Sequence, residues 1–107
     1  MSFPKWRSKY GAIRTNGYAS KAEAKRGAEL DWLEKRGLIK DLGKQIKFVL
    51  IEKDELGSAV HYVADFVYYD VGLAKPIVED VKGFRTPLYR LKRRLMWKLF
   101  KIRVQEM

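Results

Sequence analysis

A chain of 107 residues with an apolar share of 47% suits one compact domain with a single core. It has no cysteine, which excludes disulfides, zinc–thiolate centres and cysteine nucleophiles and agrees with a reducing compartment. No apolar run approaches membrane-spanning length, and the basic N-terminus lacks the apolar stretch of a secretory signal, so a soluble cytoplasmic protein is expected. The net charge of +10 is unevenly spread. Residues 1–14 hold four bases and no acid, and residues 85–107 hold eight bases and one acid. The middle balances eleven bases against twelve acids. Positive ends around a carboxylate-bearing centre suit a polyanion grasped at the periphery, so the expected partner is nucleic acid.

Residues 1–19 contain Pro4, Gly11 and Gly17 without sustained periodicity and read as an arm. Phe3, Trp6 and Tyr10 interleave there with Lys5, Arg7 and Lys9. Rings can stack on bases while cations meet phosphates, or the rings can tack the arm onto the domain; both readings stand. Ser20 is a good helix N-cap, with Glu23 at the capping-box position. The helix is predicted to run to about Arg36 and to stop at Gly37. Glu23, Gly27 and Leu30 share one stripe, with Leu33 beside it, so Glu23 heads a face that becomes apolar. Glu23 is either the cap partner alone or a site carboxylate; Glu29, on another stripe, is its rival.

Three strands follow by pattern: Gln45 to about Glu52, Ala59 to about Tyr69 and Ile77 to about Lys82, an antiparallel meander. Alternation puts His61, Val63, Asp65 and Val67 on one face and Tyr62, Ala64, Phe66 and Tyr68 on the other. In the third strand Asp80 and Lys82 point one way and Glu79 the other, which gives Glu79 a structural role. If the second and third strands pair, Asp65 lies beside Asp80. Two close carboxylates repel unless a cation joins them, and all-oxygen ligation suits Mg²⁺ or Mn²⁺. With Lys82 to hold a water or a phosphate oxygen, this is a kit for metal-assisted phosphodiester hydrolysis. His61 reads as a polar edge residue rather than a general base.

Thr86 and Pro87 start a second helix as N-cap and N1. Leu88, Leu91, Leu95 and Leu99 form its expected apolar stripe. Arg90, Arg93, Arg94 and Trp97 fall opposite, with Lys98 at the edge and Arg85 just ahead of the helix. No acidic residue between Asp80 and Gln105 compensates these bases, so they are expected to track phosphates. Lys92 lies near the leucine stripe. Ile102 and Val104 flank Arg103 in a short last strand. Periodicity alone thus gives a mixed α+β chain: helix, three strands, helix, strand.

The motifs A-D-F (Ala64–Phe66) and V-E-D-V-K-G (Val78–Gly83) resemble the signature of the PD-(D/E)XK nuclease superfamily, with Ala64 in place of its proline. Lys9–Ala12, Ser20–Arg26, Gln45–Ile51 and Gly83–Lys92 extend the similarity to a small phage-associated branch similar to Holliday-junction resolvases. The resemblance implies a single restriction-endonuclease-like α/β sandwich over residues 20–107, ordered α-β-β-β-α-β, its central mixed sheet flanked by helices. It implies Asp65, Asp80 and Glu23 as Mg²⁺ or Mn²⁺ ligands, the carbonyl of Val81 as a further ligand, and Lys82 as the catalytic lysine. It favours Glu23 over Glu29. The expected activity is a metal-dependent endodeoxyribonuclease acting on branched DNA, without organic cofactor or membrane, in the cytoplasm (the host's, if phage-encoded). A four-way junction has near-two-fold symmetry, so a homodimer is expected. The alternatives are a structure-selective or nonspecific nuclease with the same site, and a noncatalytic DNA-binding module.

Overall fold

The computed structural model describes the backbone of residues 13–14 and residues 20–81 and 85–107 in full. Lys5, Arg7, Lys9 and Lys82 lie outside the described residues. The elements are β1 (Ile13–Arg14), α1 (Lys21–Lys35), β2 (Ile39–Ile51), β3 (Val60–Asp70), β4 (Lys75–Asp80), α2 (Pro87–Phe100) and β5 (Gln105–Glu106). The sheet runs β1-β2-β3-β4-β5. Its first four strands are antiparallel and β5 joins β4 in parallel. This is the expected α-β-β-β-α-β order in a mixed sheet. β1, within the stretch read as an arm, adds a short edge beside β2.

α1 begins and ends as its sequence dictates. The Ser20 hydroxyl accepts from the N–H of Glu23 at 3.1 Å. At the other end Gly37, at φ 77°, supplies the left-handed residue. Its N–H donates to the Glu34 carbonyl and that of Leu38 to the Leu33 carbonyl, closing a Schellman motif. Glu23, Gly27 and Leu30 are its buried positions, as the stripe predicts.

Each face of the sheet carries its own core. On the α1 side, Leu30 packs with Ile39, Phe66, Tyr68 and Ile77. On the α2 side, Tyr89 and Met96 pack with Ile46, Phe48, Tyr62, Ala64, Val67 and Val78. Tyr62 and Ala64 thus face α2 while Phe66 and Tyr68 face α1. The uninterrupted alternation expected of β3 is wrong: it resets between Ala64 and Val67. The cause lies across the strand pair. Ile46 pairs with Ala64 and Lys44 with Phe66, which brings Gln45 opposite Asp65. Gln45 has φ 54°, a left-handed conformation that side chains disfavour and that turns a strand over. β2 also starts at Ile39, six residues before the expected Gln45. Asp41 and Gly43 there read as loop, but a register shift between Lys40 and Gly43 absorbs them into the ladder.

α2 departs from expectation in which stripe it buries. Leu88, Leu91 and Leu99 are 57%, 52% and 50% exposed, and only Leu95 is packed against the core. Tyr89, Met96 and Phe100 face inward instead. Those three positions repeat at helical spacing too, on a stripe adjacent to the leucines, so periodicity alone does not choose between them. Packing does. The Tyr89 ring meets that of Tyr62 with centroids 6.4 Å apart, and Phe100 meets Phe48 at 6.1 Å. After α2, Lys101 takes a left-handed cap at φ 58°. Ile102 and Val104 then enter the core, and β5 begins only at Gln105. It lies at the end of the sheet. No helix among the described residues is long and apolar enough to cross a membrane.

Candidate functional site

Among the described residues four carboxylates are buried: Glu23 (1% exposed), Asp65 (9%), Glu79 (1%) and Asp80 (0%). Buried carboxylates are costly unless paired or hydrogen-bonded, so their partners reveal their roles. Glu79 and Asp80 alternate on β4 and point to opposite faces of the sheet. Glu79 faces α1 and receives a bidentate grip from Arg26, Nε to Oε1 at 2.8 Å and Nη2 to Oε2 at 2.7 Å. The Tyr68 hydroxyl donates to the same carboxylate. The Glu79 hydrogen bonds drive the Arg26 pKa up, against burial. Burial first, then Glu79, pushes the Tyr68 hydroxyl up. Glu79 therefore has a buried structural ion pair.

Asp65 occupies the reset in β3. One of its oxygens accepts from the Gln45 side-chain amide at 3.2 Å, the other from the Val81 N–H at 2.6 Å. The β3–β4 ladder is regular as far as Phe66 and Glu79, so Asp65 and Asp80 are the next opposed positions. There the Asp65 side chain accepts from the Val81 N–H. The same Gln45 nitrogen donates to Glu23 Oε1. Glu23, from the first turn of α1, thus reaches into the sheet and meets Asp65 across one amide group. Glu29, by contrast, is exposed and pairs with Arg26 at 3.0 Å.

Asp80 lies with the α2-side core, where the Tyr62 hydroxyl donates to its Oδ2. Burial first, then the Asp80 charge, pushes the Tyr62 hydroxyl far up, so it stays a donor. Asp65 and Asp80 are opposed across the strand pair and both charges act on the Tyr62 hydroxyl, but their hydrogen bonds differ. Asp65 is joined to Gln45 and Glu23, whereas Asp80 is joined to Tyr62. Among the described residues no three His, Asp or Glu side chains form a group able to hold a metal ion. The donor chemistry nevertheless fits a hard divalent cation: the ligands on offer are carboxylate oxygens. Two of them already converge on one positively polarised group, the Gln45 amide. Val81, half-buried, packs beside the α1-side core.

The basic residues divide as well. Arg85 and Arg93 both pair with Glu106, the latter at 3.0 Å, and the Tyr89 hydroxyl donates to Glu106 at 3.0 Å. Burial works against the Glu106 charge, but the Arg85 bond and its neighbours outweigh it and lower the pKa. The expectation that no acid compensates the helix therefore fails for Arg85 and Arg93. Glu106 lies thirteen residues beyond Arg93, out of helical range, and reaches it because β5 places it against β4. Arg90, Arg94 and Lys98 have no carboxylate partner among the described residues. They line a hollow of about 290 Å³ with Trp97 and Arg103. His61 is half-buried on β3, and its Nδ1 has no hydrogen-bond partner among the described residues. Gln45, Tyr62 and Glu106 carry the site's internal bonds and had no distinguishing signal in the sequence beyond their types.

No curated protein and no solved structure matches the chain. Residues 4–107 match the model of a family described as "Protein of unknown function (DUF1064)", and the chain belongs to that family.

Proposed function

We propose that this chain is a metal-dependent endodeoxyribonuclease of the PD-(D/E)XK type, acting on branched DNA as a phage-type Holliday-junction resolvase in the cytoplasm. The observation that carries the reading is the Glu23–Gln45–Asp65 link. Two buried carboxylates, from the first turn of a helix and the middle of the sheet, meet at one amide group. A capping role alone requires neither the burial of Glu23 nor its bond to Gln45. Glu23, Asp65 and Asp80, with the Val81 carbonyl, would hold Mg²⁺ or Mn²⁺. Such an ion supplies Lewis-acid stabilisation of a phosphoryl oxygen and lowers the pKa of a bound water. Lys82 is assigned to orient the water, and Arg90, Arg94 and Lys98 to hold phosphates without reading sequence. The deciding experiment is one gel: a labelled four-way junction with and without Mg²⁺, beside linear duplex of the same sequence. Metal-dependent cutting confined to the junction supports the resolvase; cutting of both supports a nuclease of broader choice.

The hydrogen bonds that Asp65 and Asp80 accept within the protein favour a second reading, a DNA-binding module whose carboxylates are structural. No cutting of either substrate, with tight binding to both, selects it.

The assignment of Glu23 makes a ranking. Glu23→Gln is expected to lower junction cleavage by a hundredfold or so, the scale of losing a partner around a metal ion. Glu29→Gln is expected to stay near the wild-type rate, because Glu29 is exposed and pairs with Arg26. Both proteins should remain folded by circular dichroism. The reverse ranking would move the third carboxylate to Glu29.

The homodimer is supported by the exposed leucines of α2. Leu88, Leu91 and Leu99 are large apolar side chains left half exposed on one side of α2, and exposed apolar patches mark contact sites. Leu91→Glu is expected to turn a sedimenting dimer into a monomer with little change in melting temperature. A variant that still sediments as the wild type does would place the interface elsewhere.

A further inference from the structure

The indole of Trp97 belongs to no core cluster and is 44% exposed on α2. With Arg103 it lines two adjacent hollows, one of about 290 Å³ and one of about 490 Å³, and so forms their common wall. The first hollow is otherwise formed by Arg90, Arg93, Arg94, Lys98 and Val104. The second brings Lys75 and Lys101 to the same wall. Neither contains a carboxylate. The Lys101 ammonium and the Arg103 guanidinium each lie 5.5 Å from the Trp97 ring centroid.

A phosphate-tracking surface for stacked duplex needs cations but no ring. An aromatic wall between two cationic hollows offers more. Base–aromatic stacking is tolerant of sequence because every base has a π-face, and guanidinium groups near the ring add cation–π attraction. Inside a duplex the base faces are covered by their stacked neighbours, whereas an unpaired base is free to turn a face to such a wall. The smaller hollow is at the lower end of the size of small-ligand sites, roughly 300 Å³. That is enough for part of one nucleotide rather than a folded strand.

We infer that the Trp97–Arg103 wall is a binding site for an unpaired nucleotide of a DNA strand, its base against the indole and its flanking phosphates against Arg90, Arg94 and Lys101. The inference rests on the nuclease reading only in taking DNA as the polymer. At a branched substrate the site would engage the bases that open at the branch point. It supplies a source of structure preference that phosphate contacts alone do not provide.

The test is done in EDTA, so that binding is read without cleavage. The full chain is titrated into labelled single strands, one normal and one in which the central nucleotides are abasic, and into a duplex of equal length. The wild type should bind the normal strand about tenfold more tightly than the abasic one, the scale of one stacked base. Trp97→Ala should remove that difference and change duplex affinity less than twofold, while Trp97→Phe keeps most of it. Equal wild-type affinity for the normal and abasic strands overturns the inference without recourse to any variant. So does a Trp97→Ala loss that is equal on single strand and duplex. A protein that shows the base dependence but cuts nothing with Mg²⁺ would keep this site and lose the nuclease reading. One that cuts junctions without base dependence would do the opposite.

Discussion

Asp80→Asn is expected to give a folded protein that binds a four-way junction and does not cut it. Asp80 is fully buried at the end of β4, and its Oδ2 accepts from the Tyr62 hydroxyl. Asparagine keeps an acceptor oxygen for that hydroxyl at nearly constant shape. It removes the charge, so it takes away a candidate cation ligand while lowering the electrostatic cost of burial. Stability should therefore change by no more than about 1 kcal/mol, the scale of one hydrogen bond. Cleavage should fall by more than a hundredfold, since even outer partners of metal ligands cost 10–100-fold. Binding should hold or tighten, because a negative charge no longer repels phosphate. The measurements are junction cleavage with Mg²⁺ and a gel shift with Ca²⁺. A wild-type cleavage rate in this variant would leave Asp80 a structural partner of Tyr62 and remove it from the site.

Arg26→Ala is expected to be among the most destabilising single changes in the chain. Glu79 is 1% exposed, and both of its oxygens accept from the Arg26 guanidinium. Tyr68 adds a third bond, from a neutral donor. Removal of the arginine leaves a buried carboxylate without its cation, which typically costs about 3–5 kcal/mol. In a domain of this size that lowers the melting temperature by more than about 10 °C. Adding Glu79→Gln to Arg26→Ala should recover part of the loss, because the buried charge that lacks a cation is then gone. No recovery in the double variant would mean that Arg26 acts through packing of its stem. The result bears on the site too, because a Glu79 committed to Arg26 is not available to a metal ion.

Much of this fold was legible from local chemistry. Ser20 and Thr86 act as N-caps and Gly37 as the left-handed stop because capping depends on residues within four positions of one another. The inward turn of Glu23 followed from its stripe with Gly27 and Leu30. The opposition of Asp65 and Asp80 across β3 and β4 followed from hairpin register. The division between Glu79 and Asp80 followed from strand alternation, which holds in β4. In each case one short-range rule was enough.

What the amino-acid order could not decide involved a choice between local alternatives that only distant residues settle. α2 carries two adjacent apolar stripes, and Tyr89 and Met96 are buried and Phe100 half-buried because Tyr62 and Phe48 stand across from them. Glu106 neutralises Arg85 and Arg93 because β5 returns in parallel beside β4. Arg26 meets Glu79 over 53 positions of chain. Above all, the left-handed turn at Gln45 is not a preference of glutamine; it persists because the surrounding sheet and α1 hold it there. That turn resets the faces of β2 and β3 and brings Glu23 and Asp65 to one amide. The elements, their caps and the identity of the acids were thus determined by neighbours along the chain. The meeting of those acids was decided by packing, because burial is a property of surfaces that come together only once the sheet and both helices are in place.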